Sequence, residues 1–290
     1  MQSPILIICC NRFNEFFKLF KVVSKQKNRK IYIFQDGKKK DNDKNYIKLN
    51  NFLKKIKKRN LFVKFSKDNL GCKYGVVTAI NWFFSKNQDG IILEDDCIPS
   101  DSFFQYCDEL LIKYKNNKKI KIISGYRFGN KINLDASYFF SKQVELWGWA
   151  TWKKVWKDFD LDMNDWPKNG DMILKKRFND NKGLIKIYQN KFENTFLNKI
   201  DTWDYQFVYY IWKTNGLCIL PKNNLIKNIG FNKNATHTKK KNLFLEKKIV
   251  KVKFPIKHPP LIKQNLQIDA YLDTEFKRNL TGKRLFNFFN

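Results

Sequence analysis

Short apolar runs alternate with polar stretches of helical periodicity through the first hundred residues. Strands are predicted where apolar residues run together and end at a polar or glycine-containing turn, at 4–10, 31–34, 61–65 and 90–93. Between these runs, apolar residues recur at helical spacing in 14–24, 46–58 and 74–85. This β-α-β-α order predicts a doubly wound parallel sheet, in which ligands bind at the carboxyl ends of the strands.

The pattern changes after residue 100. A helix is predicted over 101–115 and a strand over 120–124, and seven of the eight tryptophans then fall between residues 147 and 212. We expect one domain over 1–245, made of a first half (1–100) and a second half (101–245). Residues 246–290 are predicted to form a basic C-terminal extension that packs on the domain or on a partner.

Composition narrows the class of protein. The chain has 290 residues, of which 43% are hydrophobic and 16% aromatic, which excludes a disordered protein and allows a full enzyme core. Its six cysteines form no CxxC pair and only two histidines are present, so the spacing of a zinc site is missing. No signal peptide or membrane span is apparent, and we expect a cytoplasmic protein with reduced cysteines.

The net charge of +30 suggests an anionic partner. The lysine runs at 38–40, 54–58 and 239–241 lack the glycine and aromatic interleaving of RNA-binding modules, so no nucleic-acid partner is predicted. Two interpretations stay open. The charge either reflects AT-rich coding, since Lys, Asn, Ile and Phe dominate together, or it supports peripheral contact with an anionic membrane.

Three consecutive acids, Glu94-Asp95-Asp96, follow the apolar run 91–93. Such a cluster is electrostatically unfavourable unless a cation or hydrogen-bond donors compensate it. Carboxylates without His or Cys partners suit Mg²⁺ or Mn²⁺ held together with substrate phosphates. The alternative is a solvated acidic turn before a helix, but the position at the ligand edge of the sheet favours a site.

The polar motifs occur in a definite order along the chain: Cys10-Asn11-Arg12, Gln35-Asp36-Gly37, Asn69-Leu70-Gly71, Glu94-Asp95-Asp96, Trp147-Gly148-Trp149 and Trp203-Asp204. Over about residues 4–237 this order resembles GT-A fold nucleotide-sugar glycosyltransferases, in particular the N-acetylglucosaminyltransferase I type. The resemblance implies a GT-A-like, Rossmann-related α/β fold with a mixed, mostly parallel sheet flanked by helices. It also implies a metal-dependent inverting glycosyltransferase of polysaccharide biosynthesis. The donor would be a UDP-sugar, with GlcNAc as the candidate, and the acceptor a glycan or lipid-linked hydroxyl.

The resemblance makes residues 1–100 the nucleotide-binding half and residues 101–245 the acceptor half of a glycosyltransferase domain. It also implies roles for residues in the nucleotide-binding half. Arg12 would contact the donor phosphates, and Asp36 the uracil or ribose. Glu94 and Asp95 would face the nucleotide and sugar, and Asp96 would ligate Mn²⁺ or Mg²⁺. Arg12 could instead be a surface arginine and Asp36 a turn residue. One departure is that the helix after Asn69-Leu70-Gly71 lacks the histidine that the family carries there.

In the acceptor half, the resemblance places Trp147, Gly148 and Trp149 below the sugar, where indoles stack on sugar rings; the alternative is an aromatic core. Asp204 would be the catalytic base, with Asp201 as a competitor and a helix N-terminal acid as the alternative. His237 would be a metal ligand or phosphate donor, or an inert loop residue.

Two other functions are weighed against this one. A nucleotidyltransferase also gathers acids at strand ends, but it would need a glycine-rich phosphate loop after the first strand, and residues 10–13 contain no glycine. A non-catalytic basic protein that binds nucleic acid or membrane would leave the acidic triplet and the tryptophan cluster unexplained.

Overall fold

The computed structural model describes residues 2–130, 132–230 and 248–281. The strands are β1 (Ile5–Cys9), β2 (Ile31–Gln35), β3 (Leu61–Phe65), β4 (Asp89–Glu94), β5 (Cys97–Pro99), β6 (Ile120–Ser124), β7 (Tyr138–Ser141), β8 (Trp149–Trp152), β9 (Leu217–Pro221) and β10 (Ile226–Asn228). The helices are α1 (Phe13–Val23), α2 (Lys44–Lys55), α3 (Gly71–Lys86), α4 (Asp101–Tyr114), α5 (Lys153–Lys157), α6 (Trp166–Phe178), α7 (Lys182–Phe196), α8 (Asp204–Lys213) and α9 (Leu266–Thr281).

Within these residues, eight strands form one sheet in the order β3-β2-β1-β4-β8-β6-β9-β7. The β3, β2, β1 and β4 strands are parallel, and β6 pairs with β9 in parallel. The β8 strand is antiparallel to both of its neighbours, and β7 is antiparallel to β9. The predicted mixed, mostly parallel sheet flanked by helices is therefore confirmed.

The parallel half has its topological switch point between β1 and β4. The chain runs outward from β1 through β2 to β3 and then returns to place β4 on the other side of β1. In doubly wound sheets the ligand crevice lies at the carboxyl ends of the strands at this point. The register aligns Cys9 with Gln35 and Ile8 with Glu94, so the loops after β1, β2 and β4 meet at one edge.

A second, two-stranded sheet extends this edge. The β10 strand pairs antiparallel with β5, with Asn228 opposite Cys97 and Ile226 opposite Pro99. Because β5 follows the acidic triplet directly, the pairing brings the residues after β10 against Asp96. The sequence pattern predicted neither of these short strands.

The C-terminal extension contacts the rest of the chain through α9. Leu272 is fully buried, and Asp273 forms two hydrogen bonds of 3.0 Å with Arg177 of α6. Asp269 accepts hydrogen bonds from the Ser141 hydroxyl and from the backbone N–H of Lys142 at the end of β7. The extension was predicted to pack on the domain or on a partner, and these contacts of α9 are with the domain. The predicted boundary near residue 245 lies outside the described residues.

No helix in the described ranges is long and apolar enough to cross a membrane.

Candidate functional site

The loops after β1 and β4 bring a guanidinium onto the acidic triplet. Arg12 places its Nη2 atom 2.6 Å from Asp95 Oδ1 and its Nη1 atom 2.6 Å from Asp96 Oδ2. Asp95 is 2% exposed, whereas the Arg12 side chain keeps 24% of its surface accessible. The compensating cation that the triplet requires is thus supplied in part by Arg12, which pairs with acids rather than standing free for phosphate.

One guanidinium does not balance three carboxylates. Burial and the nearby Asp96 carboxylate raise the pKa of Glu94 to about 8, against the opposing attraction of Arg12. Burial likewise raises the pKa of Asp95, although Arg12 opposes the rise. Burial disfavours the charge of Arg12, but Asp95, Asp96 and Glu94 outweigh it and raise the pKa of Arg12. The cluster therefore carries an excess of acidic groups that a further cation would stabilise.

Gly230 closes over this cluster. The preceding N–H, that of Ile229, donates a 2.9 Å hydrogen bond to the Asp96 carbonyl. A Cβ atom at Gly230 would lie 2.1 Å from Asp96 Oδ2 and 3.1 Å from Arg12 Nη1. Only a residue without a side chain fits here, because Arg12 holds the carboxylate in place. Gly230 was not singled out from the sequence; the only signal was a glycine two residues after the short strand β10.

Asp36 is held by the loop that precedes α3. Its Oδ1 atom accepts hydrogen bonds from the backbone N–H groups of Gly37 at 2.9 Å and Leu70 at 3.0 Å, and its Oδ2 atom accepts from Asn69 Nδ2 at 3.2 Å. Burial raises the pKa of Asp36, and these backbone donors oppose the rise. The geometry favours a structural role, in which Asp36 fixes the Asn69-Leu70-Gly71 loop beside the crevice.

The three residues of the tryptophan motif have different environments. Trp149, on β8, is 1% exposed and stacks on Trp203 with ring centroids 5.8 Å apart, so its ring belongs to the core and is covered from a ligand. Gly148 has a φ of +64° and would place a Cβ atom 2.5 Å from Ile226. Trp147 is half-buried and lies against Tyr126, with centroids 4.5 Å apart.

Asp204 and Asp201, the two candidates for the catalytic base, differ in their hydrogen-bond partners. Asp201 accepts the backbone N–H groups of Cys72 at 3.0 Å and Lys73 at 2.9 Å, so it satisfies two of the free donors at the start of α3. Asp204 begins α8, is half-buried, and accepts hydrogen bonds from the Thr202 hydroxyl and the Tyr205 N–H. Its charge helps to raise the pKa of Glu94, so Asp204 lies on the side of the acidic triplet.

A further carboxylate appears on the acceptor side. Glu145 precedes Trp147 by two residues and is half-buried, and burial raises its pKa to about 8. No role for Glu145 was predicted from the sequence.

Among the described residues, no group of three or more His, Cys, Asp and Glu side chains converges to hold a metal ion. The chemistry of the triplet is nonetheless that of a hard-cation site, with carboxylate oxygens alone. Such an ion would need ligands from a substrate. His237, the other predicted ligand, lies outside the described residues.

No protein-family model and no curated protein matches the sequence. Among solved structures, the galactosyltransferase LgtC in complex with donor and acceptor sugar analogs is 10% identical, with 72% of this chain and 70% of that chain covered at a TM-score of 0.34. The glycosyltransferase GlyE of Streptococcus pneumoniae is 9% identical, with 75% and 45% covered at 0.32. The 4-diphosphocytidyl-2C-methyl-D-erythritol synthase of Anaerococcus prevotii is 13% identical, with 53% and 71% covered at 0.32. All three TM-scores are low, and the function proposed below rests on the residues of this chain.

Proposed function

We propose that this chain is a metal-dependent glycosyltransferase whose nucleotide-sugar donor binds at the carboxyl ends of β1, β2 and β4. One observation carries the proposal. At the topological switch point of the sheet, three carboxylates face a single guanidinium, which leaves an acidic excess where a ligand crevice is expected. A fold without a ligand there would gain nothing from a repulsive, half-buried cluster.

A divalent ion is the ligand that best offsets this excess. Mg²⁺ and Mn²⁺ are commonly held by one or two carboxylates together with substrate phosphates, so Asp96 with a donor diphosphate suits them. The ion would offset the charge that develops on the leaving diphosphate. Arg12 then has two tasks: it orients Asp95 and Asp96 through its two terminal nitrogens and turns its exposed part towards the phosphates.

The sugar and the acceptor would meet on the side of β8 and α8. The half-buried Trp147 offers a ring surface for a sugar, and Gly148 allows a close approach of the backbone. Asp204 would accept the proton of the acceptor hydroxyl as this oxygen attacks the anomeric carbon, opposite the departing diphosphate. This in-line geometry inverts the anomeric configuration. A UDP-linked sugar, GlcNAc among the candidates, and a glycan or lipid-linked acceptor follow from the motif resemblance.

The donor site is tested by thermal shift with UDP, UDP-GlcNAc and other nucleotide sugars, each with Mn²⁺ and with EDTA. A ligand at 100 times its Kd stabilises the folded state by about 2.7 kcal/mol. Asp96→Asn should abolish the Mn²⁺-dependent part of this shift. The matched control is Asp171→Asn, at an exposed carboxylate of α6 paired with Lys175. Equal donor binding with Mn²⁺ and with EDTA in the parent protein would contradict the proposed metal dependence of donor binding.

The base is tested by Asp204→Asn, which keeps the shape and removes the basicity. We expect kcat to fall by about 10²–10⁴-fold, with little change in donor affinity, because the base contacts the acceptor. Asp201→Asn is the comparison variant. It should cost less than about 1 kcal/mol of stability, because the amide oxygen still accepts a backbone N–H at the start of α3, and it should leave kcat nearly unchanged. Near-normal kcat in Asp204→Asn would remove Asp204 from the reaction, and a large loss of donor affinity would move it to the nucleotide site.

A further inference from the structure

Residues 44–67, which we call the basic edge, form the α2 helix, the following loop and the β3 strand. They include nine Lys and Arg residues and no acidic residue. All nine basic side chains are exposed, and none lies within ion-pairing distance of a carboxylate among the described residues. Because no carboxylate of the segment or of its described surroundings pairs with these side chains, the segment is an uncompensated positive surface.

The basic edge also exposes large apolar side chains. Ile47 on α2 is 44% exposed, and Phe62 and Phe65 on β3 are 40% and 36% exposed. In the described sheet β3 is an edge strand, paired only with β2. Exposed aromatic and aliphatic groups among lysines are typical of surfaces that bind the interfacial layer of a membrane.

A groove joins the two kinds of side chain. A cavity of about 650 Å³ lies between the end of α2 and β3. Leu53, Ile56 and Phe65 are among its apolar lining residues, and Lys57, Lys58 and Arg59 line it from the loop. An apolar groove bordered by cations matches an amphiphile with an anionic headgroup.

We propose that the basic edge docks this protein on an anionic lipid bilayer, with lysines on the phosphate headgroups and Phe65 and Ile47 at the acyl boundary. The charge and the apolar character of this surface together favour a lipid bilayer as the binding partner. A nucleic acid or a polyanionic glycan would use the cations but would leave the apolar groove and the exposed Phe and Ile side chains in water. Some lysine ends are partly engaged, since Lys58 Nζ lies 5.8 Å from the Phe20 ring centroid and Lys64 Nζ 5.9 Å from that of Trp82. Neither contact neutralises their charge.

Docking is tested by co-sedimentation of the full chain with vesicles of phosphatidylcholine alone or mixed with phosphatidylglycerol. Binding should require phosphatidylglycerol and fall steeply as salt rises. The triple variant K54E/K57E/K58E should bind roughly 100-fold more weakly, at about fivefold per lysine. The matched control K176E/K182E/K186E makes the same charge change on exposed residues of α6 and α7 and should bind nearly as well as the parent protein.

A second pair of variants tests the apolar contribution. Ile47→Ser and Phe65→Ser should each weaken vesicle binding by roughly threefold to tenfold. Met172→Ser, at a 63% exposed position of α6, is the control, and the melting temperature of each variant checks folding. Equal losses in the two charge triples, or binding of Ile47→Ser and Phe65→Ser like that of the parent protein, would overturn the proposal. The assay uses no donor or acceptor, so its outcome is independent of the proposed transfer reaction.

Discussion

Two arginine–carboxylate clusters of this protein have similar geometry and different charge balance. Arg12 contacts Asp95 and Asp96 at 2.6 Å at the open edge of the parallel strands, with Glu94 close by. Arg177 contacts Asp273 through two hydrogen bonds of 3.0 Å between α6 and α9. Arg177 is 3% exposed and faces one carboxylate, whereas Arg12 is 24% exposed and faces an acidic excess.

This difference separates a structural pair from a candidate site. A buried pair of one guanidinium and one carboxylate in direct contact holds two elements together and leaves no excess charge for a ligand to offset. An unmatched cluster stores repulsion that a bound cation or phosphate-bearing ligand relieves. Charge balance around a buried arginine, rather than the presence of the arginine, therefore indicates where ligands bind.

The largest effect on stability is expected at the balanced cluster. Arg177→Met would leave Asp273 buried without its partner, which typically costs about 3–5 kcal/mol. Urea unfolding measures this loss, and donor affinity should stay unchanged. Arg177→Met combined with Asp273→Leu should recover much of the stability. A change in donor binding in Arg177→Met would break the proposed division between the two clusters.

A smaller loss of stability, accompanied by a loss of function, is expected from Gly230→Ala. The new Cβ atom must displace the Asp96 carboxylate from Arg12, which costs about 1–3 kcal/mol as overpacking, and it should lower donor affinity as well. Gly183→Ala on α7 is the control, because its Cβ atom meets the flexible end of Lys277 and alanine favours the helix. Normal donor affinity in Gly230→Ala would separate Gly230 from the site.

A further effect, on the pH dependence of stability, is expected at Glu94. Folding raises the pKa of Glu94 from 4.5 to about 8, so the folded protein holds a proton that the unfolded chain releases in this range. The resulting stability is fully present below pH 4.5 and is lost as pH rises through about 8, because the folded state binds more protons than the unfolded chain in this range. Glu94→Gln should reduce this slope in urea titrations of the ligand-free protein. Glu145 titrates in the same range, so part of the slope should remain in Glu94→Gln. The slope is therefore compared with that of Glu109→Gln, and equal slopes in the two variants would contradict the assignment to Glu94.

The sequence predicted the parallel half well because its strands are buried apolar runs that polar turns terminate. The strands 31–34 and 61–65 match β2 and β3 to within one residue, and the convergence of Arg12, Asp36 and Glu94 follows from parallel topology alone. The strands β5, β7, β8, β9 and β10 were missed, since they lack the regular alternation of apolar runs and helical stretches that marks the first hundred residues.

The contacts within the site were less predictable than the residues. Arg12 and Asp96 are separated by 84 residues, and whether a guanidinium reaches a phosphate or a carboxylate depends on loop geometry that spacing does not encode. Trp147 and Trp149 look alike in the sequence, but Trp149 lies on the buried strand β8, whereas Trp147 precedes the strand, across Gly148 with its φ of +64°, and is half-buried. Asp201 caps a helix that begins 130 residues earlier, which no local pattern reveals.

The attachment of α9 also has a consequence for how the chain folds. Its hydrogen bonds join positions 96, 128 and 130 residues apart, and such distant contacts form late because long loops must close first. During synthesis, which proceeds from the N-terminus, Arg177 and the end of β7 exist for some time without their partners. A chain that stops before residue 269 would lack the Asp273 partner of Arg177, so the contact between α6 and α9 can form only after nearly the whole chain has been made.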